Sequence, residues 1–372
     1  MRRKIKINEV KKAKTKSTGV NTVATLVSIS LILCFIGLIF VFEASSISAR
    51  QSTGDSFHFL KLQILWIVLG IIPMLIFAVS DYRKLYLLSF PVMIVSLLML
   101  LVVLLPGIGQ RIGGARRWID LGMFTVQPTE IAKLALIMYL SSWFSGKEKN
   151  RFLPFLFLTG ILMLLILLQP DMGTAIIIFA LSIFMYFLAG KQLYYLIVLI
   201  PLSVGGFVGL IFAAPYRLSR LTAFLHPDQD PLGVGFHINQ ILISLSEGGI
   251  LGRGFGASRQ KYLFLPEAHT DSIFAIIGEE LGFVGGILIL FLYTGLLYKL
   301  YQIYNETSDR FGKLLIGGIF SFFGLQIMIN LGGMVNLMPL TGVTLPFLSY
   351  GGSSMLTSFV MIGIAVSVSR RK

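Results

Sequence analysis

Apolar runs of membrane-spanning length recur along this chain, and they constrain its fold more than any motif does. They lie near 22–44, 62–80, 85–105, 129–144, 152–169, 172–189, 193–213, 272–298, 314–336 and 353–368. A helix needs roughly 20 consecutive apolar residues to cross a hydrocarbon core about 30 Å thick. Inside that core each backbone N–H and C=O must be satisfied within the protein, which leaves helices and closed barrels as the spanning structures. The fold class expected is therefore an all-α polytopic membrane protein of about ten transmembrane helices. Charged residues are 13% of the 372, about half the share found in soluble domains, and mean hydropathy is +0.84. The run at 129–144 is short and carries Glu130 and Lys133, so it is the least membrane-like of the set. The first run is too long for a cleavable signal peptide, and further runs follow it. Cys34, the single cysteine, lies within that first run, so no disulfide framework is expected.

Basic residues set the orientation, because cytoplasmic loops retain Lys and Arg. Residues 1–16 hold Arg2, Arg3, Lys4, Lys6, Lys11, Lys12, Lys14 and Lys16, and the chain closes on Arg370, Arg371 and Lys372. With ten spans both ends are cytoplasmic. The inner loops then carry Arg83, Lys84, Lys147, Lys149, Arg151, Lys191, Lys299, Arg310 and Lys313. The net charge of +14 thus reads as a topology signal with attraction to anionic lipid, and nucleic acid is not an expected partner. Residues 1–21 form a basic cytoplasmic tail, and 22–372 form one membrane domain.

The remaining basic residues fall outside, where few are expected. Arg111, Arg116 and Arg117 share one outward loop, and Arg217, Arg220, Arg253, Arg259 and Lys261 share another. Guanidinium groups grip phosphate oxygens in a bidentate fork, so an anionic ligand is one reading. Pairing with outer-leaflet headgroups is the other.

The long extracytoplasmic loop is 214–271. A loop of that length in a compact fold is commonly functional. Within it, Phe236-His237-Ile238-Asn239-Gln240-Ile241-Leu242-Ile243 has the period of a short amphipathic helix lying at the membrane surface. The glycines Gly252, Gly254 and Gly256 mark turns or close backbone approach. They do not make a nucleotide loop, since no strand precedes them.

Ionisable groups gather where this loop meets the eighth span: Glu267, His269 and Asp271, beside Pro266 and Thr270 and followed by Glu279 and Glu280. Such groups at membrane depth are costly and read first as functional. Asp271 falls at the helix start, where it could act as a base in a cavity. Alternatively Thr270 or Asp271 caps the helix, and an N-terminal position would then lower the carboxyl pKa. Glu279 and Glu280 are expected to pair with Gln326 and Asn330. Asp171 at the start of the sixth span reads equally as a cap or a site. Glu130 and Lys133 share a helix face and could pair. Trp118 could stack on a sugar or anchor at the interface. The stretch 341–354, rich in Pro and Gly, is expected to be re-entrant and to line a cavity.

Five segments together resemble the SEDS family (shape, elongation, division and sporulation), nearly end to end. They are Gly113-Gly114-Ala115-Arg116-Arg117-Trp118-Ile119, Gln127-Pro128-Thr129-Glu130 with Lys133, and Gln169-Pro170-Asp171 with Gly173-Thr174. The last two are Leu265-Pro266-Glu267-Ala268-His269-Thr270-Asp271 and Pro346-Phe347-Leu348-Ser349-Tyr350-Gly351-Gly352-Ser353-Ser354. The approach to Asp271, from Gly252 to Lys261, resembles the division branch more than the elongation branch, and the sporulation branch stays open. Ser272 and Phe42-Glu43-Ala44-Ser45 depart from the common pattern.

The resemblance implies a peptidoglycan glycosyltransferase that polymerises lipid II outside the membrane and releases undecaprenyl pyrophosphate. It places the general base on Asp271. It also makes Arg116, Arg117, Trp118, Glu130, Lys133, Arg217, Arg220, Glu267, His269, Thr270, Ser349, Gly351 and Gly352 candidates for substrate binding. A divalent cation, Mg or Mn, is a possible cofactor with Asp271 and Glu267 as possible ligands. Implied partners are a class B penicillin-binding protein transpeptidase and other divisome proteins. Two rival readings are a lipid II transporter and a non-catalytic divisome scaffold. The outward clustering of polar residues weighs against the transporter, and the Asp271 and arginine set against the scaffold.

Overall fold

A computed structural model describes residues 2–112, 115–122, 124–146, 151–191, 194–212, 215–230, 233, 235–262 and 264–371, with the backbone alone for 2–20 and for parts of 196–217. Gly113, Gly114, Lys147 and Lys149 lie outside the described residues, as does the Arg217 side chain. Twelve α-helices are described. They are α1 (Arg2–Thr53), α2 (His58–Val79), α3 (Lys84–Val102), α4 (Pro128–Ser145), α5 (Phe152–Leu167), α6 (Met172–Leu188), α7 (Tyr194–Phe212), α8 (Pro215–Leu225), α9 (Phe236–Gly248), α10 (Ile273–Glu306), α11 (Arg310–Met334) and α12 (Gly352–Arg370).

Ten of these helices fall on the ten apolar runs, and the chain is a polytopic membrane protein. Among the described residues, Asn21–Thr53 of α1 together with α2, α3, α10, α11 and α12 are long and apolar enough to cross a membrane. Helices α5 and α6 are apolar but shorter. Helix α12 is the hub. It packs along α2 and also meets α1, α4, α10 and α11, and 94% of its apolar window is buried. Helices α2 and α3 keep Leu75, Ile76, Val79, Leu87 and Phe90 exposed, as a lipid-facing surface requires.

Two features were not foreseen. The loop after α3 folds as a three-stranded antiparallel sheet of β1 (Gly109–Ile112), β2 (Ala115–Asp120) and β3 (Thr125–Val126). Trp118 stands opposite Gln110, and Arg116 opposite Arg111. Helix α10 extends beyond the expected 272–298 and is broken at Gly282 (φ 66°, ψ −162°), a left-handed conformation that suits glycine. The break is sealed by backbone. The N–H groups of Arg253 and Gly254 donate to the carbonyls of Glu279 and Glu280 (3.0 and 3.1 Å), and those of Phe283 and Val284 donate to Gly249 and Ile250 (2.9 and 3.2 Å). A discontinuous helix at membrane depth needs such replacement partners, and the Gly249–Gly254 turn supplies them. The expected amphipathic helix appears as α9, which packs on α10.

Candidate functional site

Asp271 ends the long loop one residue before the helix-capping position. Glu267 adopts a left-handed φ of 49°, and its carbonyl accepts the N–H groups of Thr270 and Ser272 at 3.2 and 3.1 Å. This turn stacks three side chains. Thr270 Oγ1 lies 2.7 Å from Glu267 Oε2 and 3.2 Å from Asp271 Oδ1. The N-cap of α10 is Ser272, which makes no side-chain cap bond. Its hydroxyl instead pairs with His237 Nε2 at 2.8 Å. Neither Thr270 nor Asp271 caps the helix.

Asp271 is buried, and burial, reinforced by the Glu267 charge, pushes its carboxyl up to about 7. The Thr270 hydroxyl and the Arg220 charge oppose the shift without cancelling it. Burial lowers both His237 and His269 from the ordinary imidazole value, so both rings are neutral at neutral pH. His269 stacks with Phe59 and Tyr350, with centroids at 4.4 and 5.6 Å.

The wall opposite Asp271 is the irregular segment 335–351, which follows α11. Buried side chains satisfy its carbonyls. Asn330 Nδ2 donates to Val343 at 2.7 Å, Gln326 Nε2 to Thr344 at 2.9 Å, Tyr293 Oη to Pro346 at 2.7 Å, and Gln63 Nε2 to Ser349 at 3.2 Å. This segment includes residues 341–351 of the stretch expected to be re-entrant, whose last three residues (352–354) begin α12, and it is held by α2, α10 and α11. Ser349 Oγ accepts the Leu345 N–H at 2.9 Å, Gly352 abuts Trp66, and Gly351 lies beside Thr344. These three residues shape the wall. Arg220 approaches it from outside, with Nη1 3.5 Å from the Leu340 carbonyl.

The other candidates sit apart. Arg116 donates to the Leu104 carbonyl at 3.4 Å. Arg117 donates to the carbonyls of Gln169 and Pro170 and stands 3.9 Å from Asp171 Oδ2. Asp171 is a cap, accepting the Thr174 N–H at 3.2 Å and its hydroxyl at 2.8 Å. Trp118 is half-buried in β2. Lys133 and Glu130 pair at 2.7 Å and are buried. Lys133 Nζ also reaches Gln326 Oε1 at 3.5 Å, and Thr357 reaches Glu130 at 3.5 Å. That pair therefore ties α4 to α11 and α12 inside the bundle.

Glu279 and Glu280 require a correction, since neither meets Gln326 or Asn330. Glu280 accepts the N–H groups of Gly256 and Ser258 at 3.0 and 3.2 Å, and Glu279 accepts the Arg259 N–H at 2.9 Å and the Ser258 hydroxyl at 2.5 Å. Lys261 bridges Glu43 at 2.7 Å and Glu280 at 3.7 Å. The two carboxylates anchor mainly the loop, with Glu279 also accepting from Ser244 of α9 at 3.4 Å and Lys261 linking Glu280 to Glu43 of α1.

Residues 24–372 match the family model of the cell cycle proteins FtsW, RodA and SpoVE. The chain belongs to this family. It is similar to stage V sporulation protein E of Bacillus subtilis, at 43% identity, covering 93% of this chain and 96% of that protein. It is also similar to a Trichlorobacter lovleyi protein named "probable peptidoglycan glycosyltransferase FtsW", at 39% identity over 90% and 89% of the two chains. Among solved structures, a chain of a peptidoglycan synthase complex that coordinates polymerization and crosslinking superposes with TM-score 0.77 at 29% identity, covering 93% of this chain and 97% of that one. The rod shape determining protein RodA of Thermus thermophilus superposes with TM-score 0.69 at 28% identity, over 93% and 95%.

Proposed function

We propose that this chain is a SEDS peptidoglycan glycosyltransferase, polymerising lipid II at the outer face of the cytoplasmic membrane with Asp271 as its general base. The observation that carries this reading is a buried carboxyl held near 7 at the mouth of a membrane bundle. A base is most effective when its pKa lies near the working pH. The acceptor hydroxyl attacks the anomeric carbon of the donor, its proton passes to Asp271, and the bond from that carbon to the diphosphate oxygen breaks. Undecaprenyl pyrophosphate leaves as a stable anion, so one carboxylate suffices where ordinary glycosidases need two.

Charge on the leaving diphosphate calls for a cation. Arg220 is the arginine whose charge reaches Asp271, and it is exposed for contact. Glu267 and Asp271, both within reach of one hydroxyl, fit the carboxylate pair that Mg or Mn takes together with phosphate oxygens. Such an ion would neutralise charge on the diphosphate. The residues of the chain supply the base and orient it.

The broken α10 is a feature of transporters as well. Here the break is filled by the chain's own Gly249–Gly254 backbone rather than aimed at a cavity, which favours the enzyme. The similarity to proteins named FtsW supports wall synthesis at the division septum, and the similarity to a sporulation protein supports the same chemistry in spore formation. The synthase-complex neighbour supports a class B penicillin-binding protein as the crosslinking partner, with other divisome proteins around it. The test is polymerisation of purified lipid II by the reconstituted chain with its transpeptidase. Glycan strands are expected from the wild type and not from Asp271→Ala. No strands from the wild type beside an active transpeptidase overturns the assignment.

A further inference from the structure

Asn330 is the buried polar group beside Asp271 that the chemistry above leaves unused. Its side chain is 3% exposed. Nδ2 donates to the Asp271 carbonyl at 2.8 Å and to the Val343 carbonyl at 2.7 Å, which occupies both amide hydrogens and fixes which way the amide faces. Oδ1 is then buried with no partner. Leaving a buried acceptor unpaired carries the full desolvation penalty of that group, and native folds seldom leave one without a reason.

Asn330 and Asp271 line the same crevice, with Gly333, Leu340, Thr341 and Gly342. Gly342 has φ +71°, and a Cβ there would meet Asp271 Oδ2 at 3.7 Å. A side chain at this position would thus be strained by the backbone and would touch the carboxylate. The crevice is too tight in this conformation to hold a water molecule, so a ligand there requires Leu340, Thr341 and Gly342 to move apart.

Among the residues lining this crevice, Asp271 and Asn330 bring a carboxyl and an unpartnered amide oxygen that accept hydrogen bonds, and Thr341 brings a hydroxyl. Two acceptors repel a phosphate and complement a neutral donor. We infer that Asn330 Oδ1 binds a hydroxyl or acetamido N–H of the acceptor sugar, so that this wall is the acceptor subsite and the diphosphate lies on the Glu267–Arg220 side. The inference rests on the glycosyltransferase reading and names the half of the substrate that Asn330 holds. The same amide ties the Asp271 carbonyl to the wall, so sugar binding and alignment of the base share one side chain.

The test is binding of a soluble N-acetylhexosamine oligosaccharide to the full-length chain. One set of analogues lacks single hydroxyls, and another replaces the terminal acetamido N–H by an ester oxygen. With the wild type, one analogue should bind about tenfold more weakly than the parent, the usual worth of one hydrogen bond. With Asn330→Ala the parent should lose about as much and the same analogue should lose nothing further, while undecaprenyl pyrophosphate binds both proteins within twofold. If Asn330→Ala does not fold, Asn330→Asp serves. It keeps the acceptor oxygen, and the analogue difference should persist in it. Equal analogue losses in wild type and Asn330→Ala, or no loss for any analogue, overturn the inference. A wild type that polymerises lipid II while showing either result defeats this inference alone. A wild type that makes no glycan defeats the reading beneath it.

Discussion

Burial holds the Asp271 carboxyl up to about 7, so between about pH 4 and pH 7 the folded chain keeps a proton that the unfolded chain releases. Stability therefore falls as pH rises through that window and stays at its lower level above it. Activity runs the other way, because a base works only when deprotonated. Polymerisation by the wild type should rise with pH up to about 7 and then level off. Asp271→Asn separates the two effects. It should cut turnover of lipid II by about 10²–10⁴ while raising the thermal midpoint above pH 7, measured by unfolding in detergent across pH. A capping aspartate would give the reverse, since Asn caps nearly as well as Asp and activity would survive. A flat pH–rate profile with full activity in Asp271→Asn returns the residue to structure. Asp271 was legible in the sequence because a carboxylate at a loop-to-span junction is costly wherever it points. His237 was not. It reaches Ser272 from 35 residues away, and its own segment showed only an amphipathic period.

At the scale of elements, α10 shows what composition hides. Gly282 lies in an apolar run that reads as one uninterrupted span, and the break becomes visible only with the loop that pairs with it. Glu279 and Glu280 were legible as polar groups needing partners. Their main partners are backbone N–H groups of Gly256, Ser258 and Arg259, which no side-chain pattern reveals. The consequence is a rigid first half of α10 with Asp271 at one end and the carboxylate clamp at the other. Glu280→Leu strands two backbone donors while Lys261 keeps Glu43 and the Gly256 carbonyl, and should cost about 1–3 kcal/mol per donor left unpaired in unfolding measurements. Glu280→Gln keeps an acceptor oxygen and should cost less. Equal midpoints for wild type and Glu280→Leu would show that the clamp is not holding the break. The same logic applies to Arg117, whose guanidinium serves the carbonyls before α6. Arg117→Ala should lower the thermal midpoint, and Arg220→Ala should instead raise KM for lipid II at an unchanged midpoint. The reverse assignment of the two effects would exchange their roles.

The whole molecule was the most legible level, since runs of apolar residues report burial in lipid directly and need no knowledge of partners. Orientation is the part that helix positions alone leave to experiment, and it decides whether Asp271 faces lipid II outside. The basic residues of the tail and of the loops before α5 and α11 lead us to expect those segments inside, and hence 214–271 outside. The chain suits a cysteine-labelling test because Cys34 is buried, with Sγ 3.8 Å from Met355 Sδ, and should give little background. Gln229 is exposed at the end of the 3-10 turn Pro227–Gln229, and Ser308 is exposed between α10 and α11. In intact cells a membrane-impermeant maleimide should modify Gln229→Cys, and Ser308→Cys should react only after permeabilisation. Both variants should retain activity, since neither position touches the site. The opposite pattern would put Asp271 and its loop in the cytoplasm. A base there could not serve polymerisation on the outer face, and the proposed chemistry would fall together with the topology.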